Sequence, residues 1–184
     1  MKYFFSICVL LYGFVCNAQT NNNPEIQTII VGKAVSYKQS ADWSKTSSQQ
    51  DKKRGLETIT YIRKEFTLPS GGKIAPTQSC IVESVRNSDI KSYSSANLAF
   101  FKKQTEFKIQ KIITHNDGLL SIPYAIGYWA TYIDVKGTIH KVIIIHALNS
   151  LKGIGLQFFI DCPEDGFSDL ETEITDIIRT IQFI

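Results

Sequence analysis

The stretch from Gly127 to Ile184 constrains the fold most. It holds three apolar runs followed by one amphipathic segment. The runs are Gly127 to Val135, Thr138 to Leu148 and Ile154 to Ile160. All are rich in β-branched and aromatic side chains, which suit a pleated, half-buried surface. Lys136-Gly137 and the segment from Asn149 to Gly153 are short, turn-forming connections. Three strands so joined predict an antiparallel meander. The period then changes. Leu170, Ile174, Ile177, Ile178 and Ile181 recur at helical spacing, with Glu171, Glu173, Asp176 and Arg179 on other faces. Ser168 and Glu171 fit a capping box, which predicts a helix starting near Asp169, after a turn at Pro163 and Gly166. The sheet and the helix each have a face that must leave water, so the helix stripe is expected to lie on the sheet. The expected class is α+β: an antiparallel sheet with helices packed on it.

The start of the chain points to export. Lys2 precedes an apolar run from Tyr3 to Cys16, and Cys16-Asn17-Ala18 ends in small residues before a polar stretch. This pattern predicts a signal peptide over 1–18, cleaved after Ala18, and a periplasmic or secreted protein. The run is short for a membrane span, so no stable span is expected after cleavage. A lipid anchor on Cys16 is disfavoured by the bulk of Phe14 and Val15. Residues 19–25, with three asparagines, read as a disordered start, and 26–184 as one α+β domain. The formal net charge of +3, one unit of it from Lys2, argues against nucleic acid or a membrane surface as main partner. The short basic runs Lys52-Lys53-Arg54 and Lys102-Lys103 read as solvated loop and helix-edge positions.

Between these ends, Ile26 to Tyr37 reads as one strand kinked near Gly32. Lys38 to Gly55 is polar and reads as a long loop, with Trp43 its one large apolar residue. Leu56 to Leu68 and Thr77 to Val85 read as a long hairpin around Pro69 to Gly72. Asp89 to Gln104 reads as a helix capped by Ser88, Phe107 to Thr114 as a strand, and His115 to Gly118 as a turn.

Few residues suit catalysis. There is no Gly-x-Ser-x-Gly, so a nucleophile elbow is absent. Cys162 with His140 or His146 is conceivable as a thiol–imidazole pair, but a strand-end cysteine is explained better by packing or a disulfide. Cys80 and Cys162 are the two cysteines left after leader removal. Bridged, they would close a long loop worth roughly 4 kcal/mol on the chain-entropy model; the alternative is two buried thiols. His140 and His146 share a strand face but lie roughly 20 Å apart at about 3.3 Å per residue, too far to share an ion. Asp161, Glu164 and Asp165 are acidic, yet lack the spacing of a calcium loop and better suit the positive start of the last helix. No metal or cofactor is implied. Tyr124, Tyr128 and Tyr132 are spaced by four and share a face of a continuous strand, opposite Trp129 and Ile133. Exposed, these tyrosines and Trp43 would suit a binding surface. Covered by a helix such as Asp89 to Gln104, the tyrosines are core.

The order of elements ends in a strand, Asp161-Cys162-Pro163, a capped helix and Ile181-Gln182-Phe183. With the Gly127-Tyr128-Trp129 entry into the meander, it resembles the PsbP-like α/β sandwich and the DcrB-like bacterial envelope proteins. The resemblance implies a non-catalytic accessory subunit, chaperone or binding module. The expected function is therefore an exported, non-catalytic binding or accessory protein of the envelope. Its partner would be a protein there or a secreted one, in an immunity or chaperone-like role. Alternatives are a hydrolase with an unrecognised site, or a carrier of a small apolar ligand.

Overall fold

The computed structural model describes residues 25–68 and 71–184. The signal peptide over 1–18, the Cys16 anchor and nearly all of the 19–25 start lie outside the described residues, as do the first two residues of the Pro69 to Gly72 turn. Strands β1 (Ile26–Val31) and β2 (Val35–Ser40) pair antiparallel. The single kinked strand expected here is thus a hairpin, reversed within residues 32–34. The reversal keeps Ile29, Val31, Val35 and Tyr37 all on the buried side.

The polar stretch expected to be a loop is largely strand β3 (Trp43–Asp51), paired with β4 (Leu56–Arg63). It lies at a sheet edge, where most of its side chains meet water, so polar residues suffice. A register shift between Lys45 and Ser47 distorts that edge, which discourages pairing with another chain. β5 (Phe66–Thr67) and β6 (Lys73–Ile74) form a small ribbon inside the predicted hairpin of β4 with β7 (Thr77–Ser84).

Helix α1 (Ile90–Phe101) is capped by Asp89, not Ser88. The Asp89 carboxylate accepts from the backbone N–H groups of Lys91 and Ser92 at 2.8 and 3.0 Å, satisfying donors that a helix start leaves free. β8 (Thr105–Thr114) and a short 3-10 turn (His115–Asp117) follow. The predicted meander is β9 (Ala125–Ile133), β10 (Ile139–Asn149) and β11 (Ile154–Pro163).

Helix α2 (Glu164–Arg179) begins directly after β11, five residues before the expected start near Asp169. Pro163 has no N–H to satisfy, and Glu164 and Asp165 sit in the positive first turn. Gly166 is therefore no turn residue. It lies inside the helix, where a Cβ would collide with Ile74 of β6. β12 (Gln182–Phe183) returns to β2.

The sheet of seven strands runs β3-β4-β7-β11-β10-β9-β8, and a smaller one runs β1-β2-β12. One face of the large sheet carries the main core. Phe167, Leu170, Ile174, Ile177 and Ile178 of α2 pack there, with Ile181 just beyond the helix. Each buried Leu or Ile contributes roughly 1.5–3 kcal/mol, so this stripe anchors the C-terminal segment as expected. Tyr37 of the small sheet meets the Phe158 ring edge-on at 5.2 Å. The other face is covered by α1, through Leu98 against Tyr128, Ala130, Val142 and Ile144. The architecture is α+β, an antiparallel sheet with helices packed on it.

Candidate functional site

Helix α1 is short, and it lies over β9 and β10. The same face of β4, β7 and β11 is left partly open. Thr58, Ser79 and Ile81 are only half-buried there, while their neighbours Ile59, Cys80 and Val82, pointing the other way, are core. The result is a groove of about 590 Å3 between the last turns of α1 and the sheet. That volume lies within the range of small-molecule sites.

One wall is aromatic. The Phe100 and Phe101 rings meet edge-on at 5.8 Å, and Phe101 packs on Phe159 at 4.9 Å. Phe100 is 65% exposed at the mouth. The opposite wall carries the hydroxyls of Thr58, Thr77 and Ser79.

One end of the groove is a polar cluster. Tyr132 and His140 face each other across β9 and β10, with rings stacked at 5.0 Å. His140 Nδ1 lies 2.8 Å from Asp161 Oδ1, and the Tyr132 hydroxyl donates to Asp161 Oδ2 at 2.6 Å. Burial, together with donation to Asp161, pushes the Tyr132 hydroxyl well above its ordinary pKa, so it stays a donor. His140 Nε2 lies 3.6 Å from Asp134 Oδ2. Asp134 also accepts the backbone N–H groups of Thr138 and Lys136, each at 2.8 Å. These bonds, that from Thr138 foremost, hold its carboxyl below the usual range. Both imidazole nitrogens thus face carboxylates, not a hydroxyl or thiol awaiting activation.

His146 is different. Its Nδ1 lies 2.9 Å from Ser94 Oγ, which is itself 2.7 Å from the Tyr128 hydroxyl. The trio joins α1, through Ser94, to β9 and β10 beneath it, with His146 0% and Ser94 1% exposed. Burial lowers the imidazole to about 4, so it is neutral at pH 7. A hydroxyl–imidazole pair with no route for substrate ties α1 to the sheet instead. Tyr93 adds a further tie, donating to Glu83 at 2.8 Å. Gly155 of β11 permits this seating, since a Cβ there would come within 2.6 Å of the Tyr93 hydroxyl.

The structure separates the residues singled out for binding. Tyr132 lines the groove and Tyr124 is exposed just before β9. Tyr128 is only 8% exposed because α1 covers it. Trp43 is core, its Nε1 donating to Glu173 at 2.8 Å. Neither Tyr128 nor Trp43 can meet a partner. Trp129, on the opposite face as expected, packs edge-on against Phe167 of α2.

Cys80 and Cys162 are both free, buried thiols, so the bridge is not made. Cys80 sits opposite Phe158, and Cys162 lies four residues further along the same strand. Four residues span about 13 Å, well beyond the Cα separation a disulfide tolerates. Burial pushes Cys162 up to about 12 and raises Cys80 as well, leaving neither nucleophilic. The acidic group is likewise divided: Asp161 turns to the groove, while Glu164 and Asp165 open α2. His115 Nδ1 is bonded to the Leu120 carbonyl at 2.8 Å. Among the described residues no three His, Cys, Asp or Glu side chains converge as metal ligands.

Sequence reasoning missed the Tyr132–His140–Asp161 cluster. The signal was the connection at Asp134 to Thr138. Once it pairs Ile133 with Ile139, Tyr132 must face His140.

No protein-family model matches the chain, and no curated protein matches it. Among solved structures it is similar to LpqN of Mycobacterium tuberculosis, involved in cell envelope biogenesis. The TM-score is 0.58 at 15% identity, covering 86% of this chain and 90% of LpqN. It is also similar to the Ran-binding protein Mog1p of Saccharomyces cerevisiae. There the TM-score is 0.54 at 10% identity, covering 86% of this chain and 95% of Mog1p. At such identities the likeness is one of fold: this chain shares with them a related α+β sheet architecture.

Proposed function

We propose that the protein is an exported, non-catalytic binding or accessory protein of the cell envelope, in an immunity or chaperone-like role toward a secreted protein. The observation that carries this reading is the half-open sheet face beside α1, with Phe100 exposed at its mouth. An apolar concavity kept open in this way is a feature of interaction sites. The PsbP-like and DcrB-like resemblance of the element order supports the same class. So do the likenesses to a protein of envelope biogenesis and to a Ran-binding protein. The test is crosslinking and affinity purification from the native envelope, with wild type and Ala96→Trp as paired baits. Ala96 is exposed on α1 and lines the groove, so tryptophan there fills the groove without disturbing the core. A saturable partner lost with Ala96→Trp supports the proposal. Recovery of no saturable partner by wild type sinks it.

A second reading, a carrier of a small apolar ligand, is favoured by the groove's volume and by the Phe100–Phe101–Phe159 wall.

A further inference from the structure

We infer that the groove selects a small amphiphilic cation: an apolar, preferably aromatic body carrying an ammonium group that is received at Asp161. The inference rests on the carrier reading of the groove and adds a charged group to the apolar body of its ligand.

Three independent features of the lining favour positive charge. First, Asp161 is the one acidic side chain among the described lining residues, and no lysine or arginine joins it there. Its two oxygens receive His140 Nδ1 and the Tyr132 hydroxyl. A carboxylate offers about four lone-pair directions, so further donors can be accepted. Second, α1 contributes its C-terminal half, Ala96, Asn97, Phe100 and Phe101. That end is the negative pole of the helix dipole, moderated here because the carbonyls of Leu98, Phe100 and Phe101 already accept the backbone N–H groups of Lys102, Lys103 and Gln104. Third, the wall is built of phenyl rings, whose faces attract cations. Asp134 behind His140 and Glu83 behind Gln157 extend the negative field.

The aromatic wall sets the rest of the ligand. Phe100, Phe101, Phe159, Val142 and Ile81 give an alkyl or aryl body somewhere to leave water. A bare inorganic cation would leave this surface unused, and an apolar anion would meet Asp161 unpaired.

The experiment compares three probes of one shape, 4-phenylbutylamine, 4-phenylbutan-1-ol and 4-phenylbutyrate. Each is titrated into purified protein by calorimetry and by amide chemical shifts. The amine should bind saturably, at least about tenfold more tightly than the carboxylate, with shifts at Phe100, Phe101, Gln157 and Asp161. Asp161→Asn should weaken the amine about tenfold and leave the alcohol nearly unchanged. Ala96→Trp should abolish binding of both. A thermal melt checks that each variant is folded; should Asp161→Asn not fold, the wild-type ranking and Ala96→Trp decide. If all three probes bind alike and Ala96→Trp blocks them, the groove carries ligands but the charge preference is wrong. If the alcohol or the carboxylate binds and the amine does not, the charge preference alone falls; if no probe binds, or all bind equally to Ala96→Trp, the inference and the carrier reading both fall. The envelope-partner reading is then judged by the purification alone.

Discussion

Trp43 Nε1 donates a hydrogen bond to Glu173 Oε1 at 2.8 Å, tying the first residue of β3 to the middle of α2 across 130 residues of chain. The same oxygen accepts from Ser40 Oγ at 2.8 Å, and Glu173 Oε2 pairs with Arg63 Nε at 3.0 Å. One carboxylate thus holds the small sheet, the edge of the large sheet and the C-terminal helix together. Glu173→Ala should destabilise the protein by roughly 2–4 kcal/mol, since it leaves the buried Trp43 N–H without its acceptor and the Arg63 guanidinium with only Asp42 at 3.7 Å and the Lys64 carbonyl at 3.4 Å. Glu173→Gln, which keeps the acceptor oxygen, should cost less. Urea unfolding measures both, and a Glu173→Ala midpoint equal to wild type refutes the role.

His146 makes stability depend on acid. The unfolded imidazole titrates near 6.5 and the buried one near 4. Between those values the unfolded chain binds more protons, so stability rises with pH. The contribution is fully present above pH 6.5 and is lost as pH falls toward 4, by about 3 kcal/mol. His146→Leu should flatten the stability profile between pH 4 and 6.5 relative to wild type. Parallel profiles for the two proteins would falsify this assignment.

The thiols of Cys80 and Cys162 should resist alkylation in the native state and react on unfolding, and dithiothreitol should leave the urea midpoint unchanged. Both sit in the core with their pKa values raised by burial. Mass spectrometry of labelled peptides resolves each site. A disulfide-linked peptide pair in the native protein is the contrary outcome.

Gly155→Ala should cost about 1–3 kcal/mol, because the new methyl collides with the Tyr93 hydroxyl and with Val85. Tyr93 must swing away and release Glu83, so α1 should loosen first. Hydrogen exchange reads this directly. Faster exchange across Ile90–Phe101 with β10 still protected is expected, and a uniform change across both would count against it.

Much of the fold is legible in the order of residues. The meander from Ala125 to Pro163 and the isoleucine stripe of α2 are visible because every second, or every third and fourth, side chain must leave water. The edge strand β3 is not legible. Its Ser, Thr, Lys and Gln residues resemble a loop, and a strand with little to bury carries no alternation to find. Ser168 and Glu171 imitate a cap and so point to a later start of α2, while Gly166 serves close packing against Ile74 instead of a turn.

The candidate site is legible only in part. Tyr132 stands out by its spacing, and it does line the groove. Tyr128, from the same repeat, is sealed by Ser94 and α1. For the meander and the two helices, the residues alone settled which segments pleat and which coil, because that follows from local periodicity. Pairing partners, the offset between Cys80 and Cys162, and the meeting of Tyr132, His140 and Asp161 came from contacts between distant segments. So did the groove, which exists because a helix of 12 residues cannot roof a sheet of seven strands.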